Sequence, residues 1–88
     1  MSHRVPTTTR EAVLAVLSLC DCLGEAAFLS TYGFRGGRWR LFHGERSYPS
    51  KAILGVASGM RAAEFSGGKA HTVRVLQRLG FEVREVRP

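Results

Sequence analysis

Apolar positions along the chain repeat first at helical spacing, then alternate, then repeat helically again, and the last stretch alternates once more. Thr8-Thr9-Arg10-Glu11 has the spacing of a capping box, with Thr8 as N-cap and Glu11 three residues on. The helix it opens runs to about Leu23, with Val13, Leu14, Leu17 and Cys20 on its core face, and Gly24 ends it. Glu25 to Tyr32 predicts a second, shorter helix with Ala26, Phe28 and Leu29 inward and Gly33 as its stop. Phe34-Arg35-Gly36-Gly37 is a loop, and its glycine pair allows close approach of backbone to a ligand.

Trp39 to Phe42 and Arg46 to Tyr48 are short strands around His43-Gly44-Glu45, a hairpin signal. Pro49 suits the first position of a helix, where its missing N–H is no loss. That helix carries Ala52, Ile53 and Val56 on one side and reaches about Gly59. Ser66-Gly67-Gly68-Lys69 breaks the chain again. A last helix follows, with Val73, Leu76 and Leu79 at helical spacing and Gly80 as its end. Phe81 to Val86 alternates cleanly and predicts a terminal strand with one face buried. The sum is an α+β fold, about four helices packed with a small, mostly antiparallel sheet. At 88 residues the chain is one domain, spanning 1–88, too short for two cores.

Charge narrows the choice of partner. The chain has 13 Lys+Arg against 7 Asp+Glu, and every cation except Lys51 and Lys69 is arginine. A pI of about 10.4 predicts affinity for a polyanion, with nucleic acid first and a membrane surface second. Arginine favours nucleic acid, because its planar fork pairs with phosphates and guanine edges. The start, Met1 to Pro6, has no apolar signal segment, and the apolar run from Ala12 to Leu23 is interrupted by Ser18 and Asp21. These features predict a soluble cytoplasmic protein without a membrane partner. Cys20 and Cys22 sit about 200° apart on a helix, so a disulfide between them is unfavourable and buried thiols are expected. No second pair of ligands has metal spacing, and no metal or cofactor is expected.

Catalytic constellations are missing. Asp21, the only aspartate, lies in an apolar helix, and Glu11, Glu45, Glu82 and Glu85 are scattered. No HNH-type or phosphate-loop pattern occurs, so the chain is not expected to be an enzyme. Binding features are denser. Arg35, Arg38, Arg40, Arg46 and Lys51 crowd one segment that holds a single acid, Glu45. Strand alternation sends Arg38 and Arg40 to one face and Trp39 and Leu41 mostly to the other, an arginine stripe backed by core. A solvated charged face is the competing reading, and Trp39, Phe42 and Phe34 read as core rather than base-stacking groups. Tyr48 and Pro49 add a phenol and a proline ring at a helix start, which itself favours anions. Rings among cations suit an anion bearing a soft or apolar atom. Ser66 to Lys69 makes a second anion-accepting helix start.

Tyr48-Pro49-Ser50-Lys51-Ala52-Ile53 follows an Arg-x-x-x-x-His-x-x-x-x-Tyr spacing and precedes Phe65-Ser66-Gly67-Gly68 and Leu79-Gly80-Phe81-Glu82-Val83. From Glu11 to Val86 the chain resembles the sulfur-binding domains that recognise phosphorothioate-modified double-stranded DNA. These domains often precede an HNH nuclease in McrA-type restriction enzymes of bacterial defence. The resemblance implies a sulfur pocket of Tyr48, Pro49 and Ala52, with Ser50 and Lys51 at the oxygens of the same group. It also implies base and backbone contacts by Gly68 and Lys69 and by His3 and Arg4, beside the phosphate contacts of the arginines. An HNH nuclease domain, in the same or another chain, is the implied protein partner. The alternatives are a general nucleic-acid module indifferent to sulfur, or a protein-interaction adaptor of a restriction system.

Overall fold

The computed structural model describes residues 6–65 and 69–86. Helix α1 spans Arg10–Leu23 and α2 spans Glu25–Tyr32. A hairpin follows, β1 at Trp39–His43 and β2 at Arg46–Pro49, and leads directly into α3 at Ser50–Ser58. A single 3-10 turn at Ala62–Glu64, a π turn at Lys69–Val73, α4 at Arg74–Arg78 and strand β3 at Glu82–Glu85 complete the order. Four helices and a three-stranded antiparallel sheet make the expected α+β architecture.

The N-cap of α1 is Thr9, one residue later than the sequence pattern implies: its hydroxyl accepts from the Ala12 amide at 3.1 Å. Thr8 is engaged elsewhere, donating to the Ala57 carbonyl at 3.0 Å and fastening the start of α1 to α3. Val13, Val16, Leu17 and Cys20 form the buried face, with Leu14 packed beside them. Cys22 is exposed, contrary to the expectation of two buried thiols, because positions two apart on a helix point to opposite sides. Gly24, at φ 83°, ends the helix, and the chain turns by 114° into α2. Phe28 is the buried residue of α2 and Leu29 packs against the core. Ala26 is exposed, since residues two apart cannot share one helical face with Phe28. Among the described residues no single helix is long and apolar enough to cross a membrane.

The sheet order is β2-β1-β3, with both pairings antiparallel. Leu41 on the central strand stands opposite Tyr48 on one side and Val83 on the other. All three are buried, so one face of the sheet closes on the helices. Ile53 and Leu54 of α3, Val13 of α1, Phe28, Phe65 and Leu76 complete the fully covered centre. Burial of each such large side chain contributes roughly 1.5–3 kcal/mol.

Three local details differ from the sequence reading. Pro49 is the N-cap of α3 rather than its first residue, because it still pairs with Arg40 as the end of β2. The last helix is not continuous: the π turn precedes α4, and its wider turn brings consecutive residues Thr72 and Val73 inward together. Arg40 does not join Arg38 in a solvated stripe. Its side chain is 17% exposed and ion-paired with Glu25.

Candidate functional site

A cleft of about 240 Å³ opens between the segment Arg35 to Trp39 and the start of α3, where Pro49, Ser50 and Lys51 form the opposite wall. The loop side is held at both ends. Before it, the buried Phe34 ring lies against α3 at Gly55, where even a Cβ would overlap it, and meets Phe65 edge-on at 6.3 Å. After it, the Ser50 hydroxyl donates to the Trp39 carbonyl at 2.8 Å, and the Val86 amide donates to the Arg38 carbonyl at 2.7 Å. Gly36 and Gly37 span the gap between these anchors and line the cleft.

The electrostatics of this cleft favour an anion. The first amides of a helix have no partner within the helix and carry its positive pole. On α3 the N-cap is Pro49, which provides no side-chain cap, and the first turn contains no acid to neutralise that pole. Arg35 is exposed and has no ion pair among the described residues. Arg38 is exposed at the rim, with its Nε 3.7 Å from Glu85. Lys51 is half-buried with Nζ 5.1 Å from the centre of the Phe65 ring, and burial pushes its ammonium pKa below the ordinary value. An anion arriving beside it would offset that desolvation. Half-buried Trp39 supplies apolar surface, and Pro49 backs the wall while itself almost wholly covered.

A second cleft, of about 250 Å³, is lined by Cys20, Asp21, Gly24, Glu25, Arg46, Ser47 and Tyr48. Here the cations already have partners. Arg46 donates to Asp21 at 2.9 Å. Arg40 donates to both carboxylate oxygens of Glu25, at 2.9 and 2.7 Å, and to the Ser47 carbonyl at 3.1 Å. That forked hydrogen bond holds the Glu25 carboxyl below its ordinary range against the opposing effect of burial. Burial pushes the Tyr48 phenol up, and its hydrogen bond to Asp21 adds to the shift.

Five of the residues singled out in the sequence therefore share the first cleft: Arg35, Arg38, Pro49, Ser50 and Lys51. Tyr48 and Ala52 are not among its walls. Consecutive strand residues point to opposite faces, so Tyr48 lines the second cleft while Pro49 lines the first. Ala52 is wholly buried behind the start of α3. Neither of these two clefts brings Tyr48, Pro49 and Ala52 together. His3, Arg4 and Gly68 lie outside the described residues, and Lys69 is described only as the backbone start of the π turn. The cleft also includes two features that the residue pattern did not assign to it. Trp39 reads as core by alternation but, at the end of its strand, is only half-buried. The glycine pair carries the signal of close approach without naming what approaches.

The family model of the ScoMcrA-like N-terminal head domain matches residues 6–85, and the chain belongs to that family. Among solved structures, that of the type IV phosphorothioation-dependent restriction endonuclease ScoMcrA is similar, with 33% sequence identity and a TM-score of 0.73. The alignment covers 92% of this chain and 13% of that one, so the chain spans a small part of the enzyme's length. No match was found among curated proteins. The resemblance to McrA-type enzymes and the α+β class thus agree with both the family and the structural likeness.

Proposed function

We propose that this domain binds double-stranded DNA through its backbone, as a non-catalytic reading module that serves a restriction nuclease in the same or another chain. The observation that carries the reading is the cleft at the start of α3, where an acid-free helix N-terminus carrying Lys51 faces Arg35 and Arg38. A phosphate there meets helix amides from one wall and guanidinium groups from the other. Membership of the head-domain family supports the same partner, as does the likeness to an enzyme described as phosphorothioation-dependent.

The finer part of the proposal concerns sulfur. A phosphorothioate replaces one non-bridging oxygen with a larger, softer atom that accepts hydrogen bonds poorly. The proposed sulfur contact is the region of Tyr48, Pro49 and Ala52: all three are buried in this structure, Pro49 backs the wall of the first cleft, and a sulfur would be received there only once that wall opens to it. Ser50 and Lys51 attend the remaining oxygens. Covering about 40 Å² of sulfur surface contributes only about 1 kcal/mol. Stripping water from an oxygen in the same place would add roughly 1–3 kcal/mol of discrimination. Rejection of oxygen is then at least as important as attraction of sulfur.

A second reading, a duplex-backbone contact indifferent to sulfur, is favoured by the burial of Tyr48 and Ala52 away from the cleft. Titration into matched duplexes, one with an Rp phosphorothioate and one plain, at about 150 mM salt separates the two. The sulfur reading expects about a tenfold preference or more, equivalent to about 1.4 kcal/mol. Equal affinity would leave the backbone-binding module. Binding to neither duplex would overturn the nucleic-acid reading and turn attention to an acidic protein partner.

A further inference from the structure

The glycines at 36 and 37 have no reason inside the fold. Among the described glycines, Gly24, Gly33, Gly44, Gly59 and Gly80 take a left-handed φ that side chains avoid. Gly55 is required by the Phe34 ring. Gly36 and Gly37 satisfy neither condition. Their φ values are not in the left-handed region, a Cβ at Gly36 would meet only the Leu29 Cδ1 at 3.8 Å, and one at Gly37 would meet nothing within 4 Å. The space that a side chain at Gly37 would enter is open. Both residues line the cleft, between Arg35 and Arg38 and next to Trp39.

We propose that Gly36–Gly37 is a contact floor for the sugar–phosphate backbone, and that Trp39 is the wall against which the deoxyribose beside the bound phosphate packs. The inference rests on the duplex-binding reading above and extends the ligand from a phosphate group to a nucleotide unit. A phosphate alone would need only the cations and the helix amides. A bare main chain lets a bulkier ligand come within van der Waals distance, and an aromatic face suits the apolar side of a sugar ring. Arg35 and Arg38 stand on either side of the floor and hold the strand's charges while the sugar lies between them.

The assignment separates binding from folding, and that separation is the test. Gly37→Ala and Gly37→Leu are compared with the parent by thermal unfolding and by titration with the duplexes used above. Emission of Trp39, the chain's single tryptophan, is followed during the titration. The expected result is an unchanged or raised melting temperature for Gly37→Ala. Gly37→Leu is expected to lose affinity by about tenfold or more, along with the change in Trp39 emission that accompanies binding by the parent. Should Gly37→Leu melt early, a graded loss of affinity in the stable Gly37→Ala variant carries the same test. Binding by Gly37→Leu within about twofold of the parent, while Arg35→Ala weakens binding, would overturn this inference and leave the duplex reading standing. A parent protein that binds no duplex would overturn both.

Discussion

The Tyr48 hydroxyl donates to the Asp21 carboxylate from 3.1 Å to each oxygen, tying the middle of β2 to the end of α1. Arg46 reaches the same carboxylate at 2.9 Å, so one aspartate fastens two residues of the hairpin. The phenol is thus occupied by the fold, and Tyr48 as a whole is only 5% exposed. Tyr48→Phe is expected to cost about 1 kcal/mol of stability, the typical worth of such a bond, and to leave duplex affinity unchanged. Denaturant unfolding paired with titration checks both. A sulfur preference that vanished in this variant while stability held would place the hydroxyl in the binding step instead. Tyr48→Ala and Ala52→Glu act on the core, the first by a cavity worth roughly 3–5 kcal/mol and the second by burying a charge.

Arg40 and Glu25 give the domain an acid-sensitive fastening. Arg40 holds the Glu25 carboxyl below its ordinary value of 4.5, so the unfolded chain takes up the proton more readily than the folded one. The stabilisation is therefore present above the unfolded value and is lost as pH falls through the lower, folded one. Unfolding free energy measured between pH 7 and pH 3 should decline below about pH 4.5. Glu25→Gln should lower stability near neutral pH, by about 1–2 kcal/mol for the loss of a charge-assisted pair, and should make the remaining decline shallower. An unaltered pH profile in Glu25→Gln would assign the acid sensitivity to other carboxylates.

Much of this was readable from local pattern, because the determinants were local. The period of Val13, Leu17 and Cys20, the glycine stops at Gly24, Gly33 and Gly59, and the turn at Gly44 fix their elements within a few residues. What could not be read was non-local. Nothing in Phe81 to Val86 states that β3 pairs with β1 rather than with β2. Nor does Arg40 reveal that Glu25, distant in sequence, will claim it while Arg38 stays at the rim. The placement of Tyr48 and Pro49 on different clefts follows from the two-residue period of a strand. Trp39 reads as core because mid-strand alternation would bury it, whereas a position at the strand end leaves it half-buried.

Phe34 and Gly55 couple the cleft to the core. A methyl group at position 55 would lie about 2.9 Å from the Phe34 Cε1 and 3.0 Å from the Met60 carbonyl, so the ring must move and the loop it anchors moves with it. Gly55→Ala should destabilise the domain by about 1–3 kcal/mol, the usual penalty of overpacking. It should also weaken duplex binding even at temperatures where the protein remains folded. Calorimetry and a titration well below the melting temperature separate the two effects. Full affinity in a destabilised variant would show that the loop is held by Ser50 and Val86 alone.

The four arginines Arg35, Arg38, Arg40 and Arg46 should divide into two groups when affinity is measured against salt. A cation that meets a DNA phosphate releases counterions, and its removal lowers the slope of log affinity against log salt by about 1. Arg35→Ala and Arg38→Ala, at the open cleft, should each reduce the slope by about that amount and weaken modified and plain duplex alike. Arg40→Ala should leave the slope unchanged and instead lower stability, because its guanidinium serves Glu25 and the Ser47 carbonyl. Arg46, exposed but paired with Asp21, should follow Arg40 in leaving the slope unchanged, with a smaller stability loss, since exposed pairs contribute only about 0–1 kcal/mol. A slope that fell equally for Arg35→Ala and Arg40→Ala would mean that DNA displaces Glu25, extending the contact around the hairpin to the second cleft.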